Sequence, residues 1–493
     1  MKFSTNGSLT LLTDLYQLTM AYGYWSQGKA EQQAVFHLFF RKNPFHGGYA
    51  IAAGLGPVVE FIESFRFSGE DIAYLKTITG NDDRPLFSSD FLEYLGQLQL
   101  SVDIDAIAEG TVVFPHEPLL RVRGPILQCQ LLETALLNIV NFQSLIATKA
   151  SRIVRAAAGD AVLEFGLRRA QGIDGALAAS RAAYIGGCSA TSNVLAGKQF
   201  GIPVKGTHAH SWVMSFDSEP ESFAAYADAM PNNCVFLVDT YDTLQGVRHA
   251  IEVGNRLRDS GHRMVGIRLD SGDLAWLSIE ARKLLDAAGF QDATIVASND
   301  LDERLIQSLK LQGAQISVWG VGTKLVTAYD QPALGGVYKL GAIQDADQQW
   351  QPKIKVSEQL IKTSNPGIQQ VRRYHGEDGQ TIADMIFDES KPLQTPCVIV
   401  DPDDSTHHRT MSAAVAYDDL LTPVLRDGKP ISQLPTLEQI RDRSLQQLQQ
   451  FHKSILRFDH PHKYPVGLEK QLHQLKSRLV VQAREFGKND SGS

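Results

Sequence analysis

The middle third of the chain alternates short β-rich runs with helical stretches, and this rhythm restricts the fold more than any other feature. Most of the runs end in small or polar residues, as strands that lead into loops do. Seven such units within roughly 180 residues predict βα repeats with parallel strands. Both a doubly wound sheet and a (β/α) barrel fit this pattern. The predicted strands are Ala161–Gly166, Ile202–His208, Cys234–Thr240, Met264–Gly272, Thr294–Asp300, Ile316–Thr323 and Gly336–Ile343.

The residues that follow these strands favour the barrel. The segments EFGLRR, GTHAHS, VDTYDT, RLDSGD, ASNDLD and GVGT each place Arg, His, Asp, Ser or Thr just after a strand. A doubly wound sheet concentrates its chemistry at one crevice, near one or two strand ends. In a barrel, by contrast, the loops that follow all the strands converge on one mouth. The sequence therefore predicts an α/β protein with an irregular (β/α) barrel.

The flanking segments differ from the barrel and predict a companion α+β domain. Residues 1–150 mix helices with short strands, and residues 346–493 return to irregular β-type segments before a polar helical tail. We predict an N-terminal α+β domain over 1–150, the barrel with the active site over 151–345, and a return segment over 346–493 that packs on the N-terminal domain. The predicted flanking elements are helices Leu11–Trp25, Pro57–Phe65, Leu127–Lys149, Thr436–Phe458 and Glu469–Glu485, and strands Ala34–Arg41 and Gly110–Phe114.

Composition narrows the class of ligand. Among 493 residues there are 47 Lys and Arg against 55 Asp and Glu, which gives a formal net charge of −8. General nucleic-acid binding needs a dense basic surface, so this balance argues against it. A small anionic ligand remains compatible with the sequence, because a few Arg side chains and backbone N–H groups are enough to hold one.

We expect a cytoplasmic protein without a membrane span. Residues Met1–Gly7 lack the apolar core of a secretory signal. The longest apolar-rich run, Ile126–Ala147, is interrupted by Gln, Glu and Asn residues and suits an amphipathic helix better than a membrane helix. The cysteines lie far apart and have no CxxC spacing, which predicts reduced, mostly buried thiols. They are Cys129, Cys188, Cys234 and Cys397.

The segment RLDSGD carries the strongest chemical signal. Arg268, Asp270 and Asp273 lie within six residues at a strand end, directly after a run that should be buried. Carboxylates in such a place can ligate Mg²⁺ or accept hydrogen bonds from sugar hydroxyls. A purely structural interpretation also exists: Arg268 pairs with Asp270, and Asp273 caps the next helix. The two interpretations can coexist.

The segment GTHAHS offers two histidines. Neither His208 nor His210 belongs to a spacing typical of metal ligands. A neutral imidazole has a free nitrogen lone pair near pH 7, so one of them can act as an acid, a base or a nucleophile. A structural histidine that is satisfied by hydrogen bonds is the alternative for each.

Three further features point to an anionic or flat ligand. The glycine turns around Gly322, Thr323 and Gly336 can present backbone N–H groups to a phosphate, although tight turning alone explains them equally well. They match neither a Walker loop nor GxGxxG. Arg168 follows a strand and suits a carboxylate or phosphate, or else a salt bridge to Glu164. Tyr16 can stack on a flat ring or simply contribute to the core.

Taken in order along the chain, these motifs resemble the nicotinate phosphoribosyltransferase family. The resemblance covers most of the chain, and the segment beyond about residue 430 contributes least. The matching motifs are TDLYQLTM, FFRKNPFHGGYA, ETALLNIVNFQSLIATKA, EFGLRRAQG, GTHAHS, GIRLDSGDL, VGTKL, LGGVYKL, PKIKVS and KTSNPG.

The resemblance implies a type II phosphoribosyltransferase fold and a specific reaction. Nicotinate and phosphoribosyl pyrophosphate would give nicotinate mononucleotide and pyrophosphate, the first step of NAD biosynthesis from nicotinate. The resemblance also implies Mg²⁺, ATP as a co-substrate hydrolysed through a phosphohistidine, and a homodimer with shared active sites. In the GTxAHS motif of the family the phosphorylated residue is the histidine that corresponds to His210.

The resemblance also assigns candidate roles to the other residues. Asp270 would hold ribose hydroxyls or the Mg²⁺ shell, with Asp273 as the second choice. The 5-phosphate would be bound by Gly322, Thr323 and Gly336, and nicotinate by Thr207 and by Tyr16 from a neighbouring subunit. Arg168 and Arg268 would face the nicotinate carboxylate or the phosphates. Ser211 is neutral where related nicotinamide enzymes look acidic, which favours nicotinate because a carboxylate would repel it. The alternatives are a nicotinamide or quinolinate phosphoribosyltransferase and a catalytically silent ligand-binding homologue.

Overall fold

The computed structural model describes residues 9–359 and 362–489, without side-chain detail for the last four of these. Residues Met1–Gly7, on which the expectation of no secretory signal rests, lie outside the described residues, as do residues 490–493. The chain divides into two compact units. The barrel unit is Ile146–Pro332, and the companion unit combines Met1–Leu145 with Ala333–Ser493.

The strands are short and follow one another along the whole chain. They are β1 Gln33–Phe40, β2 Ala50–Ile51, β3 Asp103–Ile107, β4 Val112–Val113, β5 Leu120–Pro125, β6 Ala161–Glu164, β7 Ala190–Thr191, β8 Val235–Leu237, β9 Gly266–Leu269, β10 Thr294–Ala297, β11 Val318–Val321, β12 Gly336–Gln344, β13 Trp350–Pro352, β14 Gln369–His375, β15 Thr381–Asp388, β16 Cys397–Val400, β17 His408–Met411, β18 Ala416–Asp419, β19 Leu421–Arg426, β20 Lys429–Pro430 and β21 Val466–Glu469.

The helices fill the intervals between them. They are α1 Leu15–Ser26, α2 Leu55–Ser64, α3 Gly69–Leu75, α4 Ser89–Gln97, α5 Ile126–Leu131, α6 Glu133–Ala157, α7 Ile173–Ile185, α8 Val194–Phe200, α9 His210–Met214, α10 Glu219–Ala229, α11 Thr243–Asp259, α12 Leu274–Ala287, α13 Glu303–Leu311, α14 Thr323–Val326, α15 Leu437–Gln449 and α16 Lys470–Asn489, with short 3₁₀ turns at Pro44–His46 and Leu167–Arg169.

The barrel unit is built on a parallel sheet. Its strand order is β7-β6-β11-β10-β9-β8, and every neighbouring pair in it is parallel. The central strands are mostly buried, as is expected when helices cover a parallel sheet. Because all the strands run in the same direction, the residues that follow them gather at one end of the unit.

The segment after β7 completes an irregular barrel. The predicted strand Ile202–His208 forms only a single parallel bridge, from Val204 to Thr191, because Pro203 has no N–H to donate to a longer ladder. Its other side is joined to β8 by side chains. Thr207 Oγ1 donates to the carbonyl of Val235, and the N–H of Leu237 donates to His208 Nε2 at 3.3 Å. The segment therefore connects both edges of the sheet, and the predicted barrel architecture is confirmed.

Aspartates begin three of the helices that surround the barrel. The side chains of Asp242, Asp273 and Asp302 accept hydrogen bonds from the first-turn N–H groups of α11, α12 and α13. Such caps satisfy donors that a helix start leaves unpaired, and each contributes about 1 kcal/mol. The capping role foreseen for Asp273 is therefore present in the structure.

The companion unit contains two larger sheets. The first has the order β13-β12-β1-β5-β3-β19-β20 and is antiparallel throughout, and the second has the order β17-β16-β21-β15-β14-β18. The C-terminal residues share the first sheet with the N-terminal ones, since β19 pairs with β3. Where the sequence predicted irregular β-type segments after residue 346, the structure has a regular six-stranded sheet.

One predicted strand was placed in the wrong domain. Gly336–Ile343 was expected to be the last parallel strand of the barrel, but β12 pairs antiparallel with β1 in the companion unit. The barrel unit consequently ends at Pro332 rather than at residue 345, and it begins at Ile146 rather than at residue 151. Local composition could not reveal this, because a buried strand looks alike in a parallel and in an antiparallel sheet.

The structure shows the state of the cysteines and the fold of the apolar-rich run. The four cysteines are buried, and none of them forms a disulfide. Residues 126–147 form α5 and the first part of α6. In the described part of the chain, no helix combines the length and the apolar character that crossing a membrane requires.

The bond from Leu237 to His208 makes the stability of the barrel unit sensitive to pH. Burial lowers the pKa of His208 from 6.5 to about 4, so the ring stays neutral in the folded protein while the unfolded chain binds a proton below pH 6.5. The stabilisation from the neutral ring is complete above pH 6.5 and falls as the pH approaches 4. We predict that the wild type loses about 3 kcal/mol more than His208→Gln between pH 7 and pH 4 in urea unfolding.

The variant is conservative because the Gln side-chain oxygen can still accept from Leu237. His408→Gln, which replaces an exposed histidine on β17, serves as the control and should keep the wild-type pH dependence. Parallel pH profiles for wild type and His208→Gln would contradict the prediction.

Candidate active site

A cavity of about 430 Å³ lies where the barrel strands end, and all of its lining residues belong to the barrel unit. Its charged members are three arginines and two aspartates, so the lining carries a small positive excess. The lining residues are Phe165, Leu167, Arg168, Arg169, Ser192, Gly206, Thr207, His208, Ala209, Arg268, Asp270, Ser298, Asn299, Asp300, Gly320, Gly322 and Thr323.

Arg268 and Asp270 both reach this cavity from the end of β9. Burial lowers the pKa of Arg268, and its Nε is buried without a hydrogen-bond partner among the described residues. Within those residues the guanidinium also forms no ion pair with Asp270, so the structural alternative foreseen for this pair is absent. A partly buried cation with an unused donor at a cavity wall is suited to bind an anion.

Asp270 is held in place from two sides. Its N–H donates to Asp239 Oδ2 at 2.8 Å, and the Ser298 hydroxyl donates to its Oδ1. These contacts tie the ends of β8, β9 and β10 together at the residue that faces the cavity. The carboxylate is therefore positioned by neighbouring strands before any ligand arrives.

Asp239 is a residue that the sequence analysis did not select. Its Oδ2 accepts from the N–H of Asp270 and from the Ser271 hydroxyl at 2.6 Å. Its Oδ1 is buried and has no hydrogen-bond partner among the described residues. The signal was present in VDTYDT, where Asp239 follows β8 as Asp270 follows β9.

His210 lies next to Asp270. Its Nε2 is 3.8 Å from Asp270 Oδ2, and its Nδ1 is 3.1 Å from Thr240 Oγ1. The side chain is 39% exposed, so a ligand can reach it. His208 differs, because it is buried among aromatic rings and its Nε2 accepts from the N–H of Leu237. His208 nevertheless lines the cavity, whereas His210 does not line it and is the more exposed of the two, beside Asp270.

Packing against Phe165 explains the glycines in and after β11. A Cβ on Gly320 would lie 2.7 Å from the Phe165 ring, and one on Gly322 would lie 3.1 Å from the Phe165 carbonyl. The turn that follows β6 therefore sits directly against the turn that follows β11. Lys324, just after the same turn, forms an ion pair with Asp302 at 2.7 Å.

The loop after β10 is strained and also reaches the cavity. Asn299 and Asp300 have φ values of 95° and 40°, which are unusual for residues with a side chain. Such strain is commonly retained at functional sites. Neither residue was chosen from the sequence, although the polar strand end ASNDLD contained both.

The remaining predicted residues fall into two groups. Arg168, Gly322, Thr323 and Thr207 line the cavity, although the Thr207 hydroxyl already donates to Val235. Ser211 and Asp273 do not line it: Ser211 is exposed on α9, and Asp273 caps α12.

Tyr16 and Gly336 belong to the companion unit. Tyr16 lies on α1 and is 46% exposed. The N–H of Gly336, at the start of β12, donates to Asn141 Oδ1 at 2.9 Å, so in this arrangement that amide is already engaged. The roles predicted for both residues remain predictions.

Comparisons with known proteins agree along almost the whole chain. Three family models match: the nicotinate phosphoribosyltransferase N-terminal domain over residues 11–141, the nicotinate phosphoribosyltransferase family over 161–383 and its C-terminal domain over 368–476. A nicotinate phosphoribosyltransferase of Bacillus subtilis is 44% identical over 97% of this chain and 98% of its own length. The Homo sapiens enzyme is 37% identical over 96% of both.

Solved structures give the same result for the fold. The crystal structure of human nicotinic acid phosphoribosyltransferase has a TM-score of 0.83 and 34% identity, covering 95% of this chain and 99% of the human one. A nicotinate-nucleotide pyrophosphorylase from Pyrococcus furiosus, at 20% identity and a TM-score of 0.69 over 91% and 98%, shares the fold. From its family models, its relatives and its architecture, this chain belongs to the nicotinate phosphoribosyltransferase family of enzymes.

Proposed function

We propose that this protein catalyses nicotinate phosphoribosyl transfer, and that the barrel cavity is its active site. The ring nitrogen of nicotinate attacks C1 of phosphoribosyl pyrophosphate, the bond from C1 to the pyrophosphate oxygen breaks, and nicotinate mononucleotide and pyrophosphate leave. The observation that carries the proposal is that Arg268 and Asp270 line the cavity while His210 Nε2 lies 3.8 Å from Asp270 Oδ2. Family membership supplies the substrate class.

Selection of the acid over the amide rests on the arginines. Arg168, Arg169 and Arg268 line the cavity, and a guanidinium binds a carboxylate through two parallel hydrogen bonds. Nicotinamide is uncharged and cannot form an ion pair with these arginines. Because Ser211 does not line the cavity, these arginines carry the argument for nicotinate better than Ser211 does.

The transfer step separates charge between the ribose and the leaving pyrophosphate. The cavity lining offers groups of suitable charge to each of them. Positive charge develops on the ribose as pyrophosphate departs, and negative charge develops on the leaving group. In this proposal Asp270 holds the ribose hydroxyls near C1, while Arg268 faces the phosphates or the nicotinate carboxylate. The Gly322–Thr323 turn takes the 5-phosphate.

The donors near Asp270 fit a Mg²⁺ ion that is shared with the substrate. The described residues contain no cluster of three or more His, Cys, Asp or Glu able to cage a metal. Mg²⁺ commonly binds through one or two carboxylates together with phosphate oxygens and water. Asp270 and the unpartnered Oδ1 of Asp239 supply oxygens of this kind. When bound, the ion would offset charge on the pyrophosphate.

ATP hydrolysis would be coupled through His210. If Nδ1 donates to Thr240, the lone pair on Nε2 is free, and this nitrogen lies 3.8 Å from Asp270 Oδ2. Nε2 then attacks the γ-phosphorus of ATP, a P–N bond forms, the bond from that phosphorus to the bridging oxygen breaks, and ADP leaves. Water later cleaves the P–N bond and releases phosphate. The added negative charge beside Asp270 would reorganise the site between these steps.

The active site would be completed by a second copy of the chain. Tyr16 is nearly half exposed on α1, so its ring is accessible to a ligand bound by a partner subunit. In the proposed homodimer this ring stacks on the pyridine bound by the other subunit. The product would enter NAD biosynthesis.

A competition assay tests the proposed substrate. The enzyme is incubated with phosphoribosyl pyrophosphate, Mg²⁺, ATP and equal amounts of nicotinate, nicotinamide and quinolinate, and the nucleotide products are separated. We expect nicotinate mononucleotide to dominate, because only this substrate matches the arginines with one carboxylate. Preferred use of nicotinamide or quinolinate would refute the assignment, and the absence of any nucleotide would indicate a silent homologue.

His210→Ala is expected to abolish ATP hydrolysis while leaving slow, ATP-independent nucleotide formation. The variant removes the only atom proposed to accept phosphate and keeps the transfer site. The measurement is phosphate release from labelled ATP together with acid-labile phosphate on the protein. His408→Ala is the control and should behave as the wild type. Equal ATP hydrolysis by wild type and His210→Ala would contradict the coupling.

Asp270→Asn should lower turnover by about 10²-fold or more, because the reacting sugar loses its charged anchor. Asp273→Asn is a matched change three residues away, and Asn caps a helix about as well as Asp. We expect turnover of Asp273→Asn to stay within about twofold of wild type, since its side chain serves α12. Steady-state kinetics distinguish the two, and unchanged turnover in Asp270→Asn would exclude its role.

A further inference from the structure

A second cavity, of about 450 Å³, lies within the companion unit, and none of its lining residues comes from the barrel unit. It is formed where the residues after β1, the turn before β5, the segment before β14 and the C-terminal helix α16 come together. No step of the proposed reaction uses it. Its size is in the range of cavities that hold small organic ligands.

Cations line this cavity. Lys476, Arg41 and Lys463 belong to the lining and act electrostatically on His116, and Asp403 is the single carboxylate among the lining residues. Lys463 pairs with Asp403 at 2.8 Å. Lys476 donates to Asn365 Oδ1 at 2.8 Å, and within the described residues neither Lys476 nor Arg41 has a carboxylate partner. The cavity therefore holds positive charge that the protein itself leaves uncompensated.

Two polar atoms in the lining also lack partners. Thr363 is only 4% exposed, and its Oγ1 has no hydrogen-bond partner among the described residues. The Oδ1 atom of Asn43 is also buried and has no hydrogen-bond partner among the described residues. Leaving such groups unsatisfied is costly, so a ligand is the natural partner for them. The hydroxyl can donate to an anion, whereas the amide oxygen requires a donor such as a sugar hydroxyl.

His116, in the lining of this cavity, has a strained backbone. Its φ is 72°, in the left-handed region, and its N–H donates to the Phe40 carbonyl at 2.7 Å. Burial and the charge on Lys476 lower the pKa of the imidazole to about 4, so the ring is neutral at physiological pH. Strain of this kind in a residue with a side chain is often retained where a ligand binds.

We propose that this cavity binds a sugar phosphate, a ligand that is both a phosphate monoester and a donor of hydroxyl hydrogen bonds. The phosphate faces Lys476, Arg41 and the Thr363 hydroxyl, and a sugar hydroxyl donates to Asn43 Oδ1. The site shares no lining residue with the barrel cavity and adds to the protein a binding function in the unit that carries the C-terminal helix.

Site-resolved acetylation of lysine tests the proposal. Burial lowers the pKa of Lys476 to about 8, so its amine reacts readily with an uncharged acetylating reagent near that pH. Ribose 5-phosphate at about ten times its Kd should slow acetylation of Lys476 about tenfold, as read by peptide mass spectrometry. Lys470, exposed at the start of the same helix, is the internal control and should react at a constant rate.

Parallel samples identify the source of any protection. Ribose should not protect, and inorganic phosphate should need a higher concentration than ribose 5-phosphate. Protection by sodium chloride at matched ionic strength, or no protection by any anion, would overturn the site. Equal protection by inorganic phosphate would overturn the sugar phosphate and assign the cavity to free phosphate. The acetylation rate of Lys476 is measured without any catalytic turnover. Failure of this site can therefore be distinguished from failure of the proposed function.

Two variants complete the test. Thr363→Val keeps the side-chain shape, and loss of the hydroxyl should raise the protecting concentration about tenfold or more. Thr77→Val, at an exposed position, should leave it unchanged. If Thr363→Val fails to fold, Lys463→Gln serves instead, because Lys463 is 62% exposed and its loss should also weaken protection. Unchanged protection in a folded Thr363→Val or Lys463→Gln protein would contradict the proposal.

Discussion

The hydrogen bonds that join the ends of neighbouring parallel strands create the candidate active site. Asp239 at the end of β8 accepts from Asp270 after β9, and Ser298 after β10 donates to Asp270. Parallel strands end on one side of a sheet, so a single carboxylate can be fixed from both flanks. His210 needs only to approach this fixed carboxylate, and it does so at 3.8 Å. Without these bonds, Asp270 would sit on a loop with no defined direction.

The same loops carry two kinds of aspartate with different tasks. The first aspartate after β8 or β9, Asp239 or Asp270, belongs to the site, whereas the one three residues later caps the following helix. Spacing explains the division. The residue just after a strand still points along the strand direction, and the later one reaches the first turn of the helix. The RLDSGD motif therefore combines function and capping within six residues.

Part of this arrangement was predictable, and the failures have specific causes. Polar strand ends predicted a barrel and selected Arg168, Arg268 and Asp270, and the motif resemblance added Thr207; all four line the cavity. The motif resemblance singled out His210 over His208. Gly336–Ile343 was misplaced because a strand's partner is decided by distant residues, here those of β1. The roles of Asp239, Asn299 and Asp300 were missed, since their chemistry depends on contacts between consecutive βα units.

The sequence alone determined the periodicity of the barrel, the chemical types at its strand ends and the family to which the chain belongs. These are local properties, set by residue identity and spacing. Tertiary structure alone decided which histidine is buried and which is reachable, and which aspartate faces a cavity. It also gathered Lys476, Arg41 and Thr363 around a second cavity, although they lie far apart along the chain. Burial and convergence depend on how remote segments pack, and no short stretch of sequence encodes that.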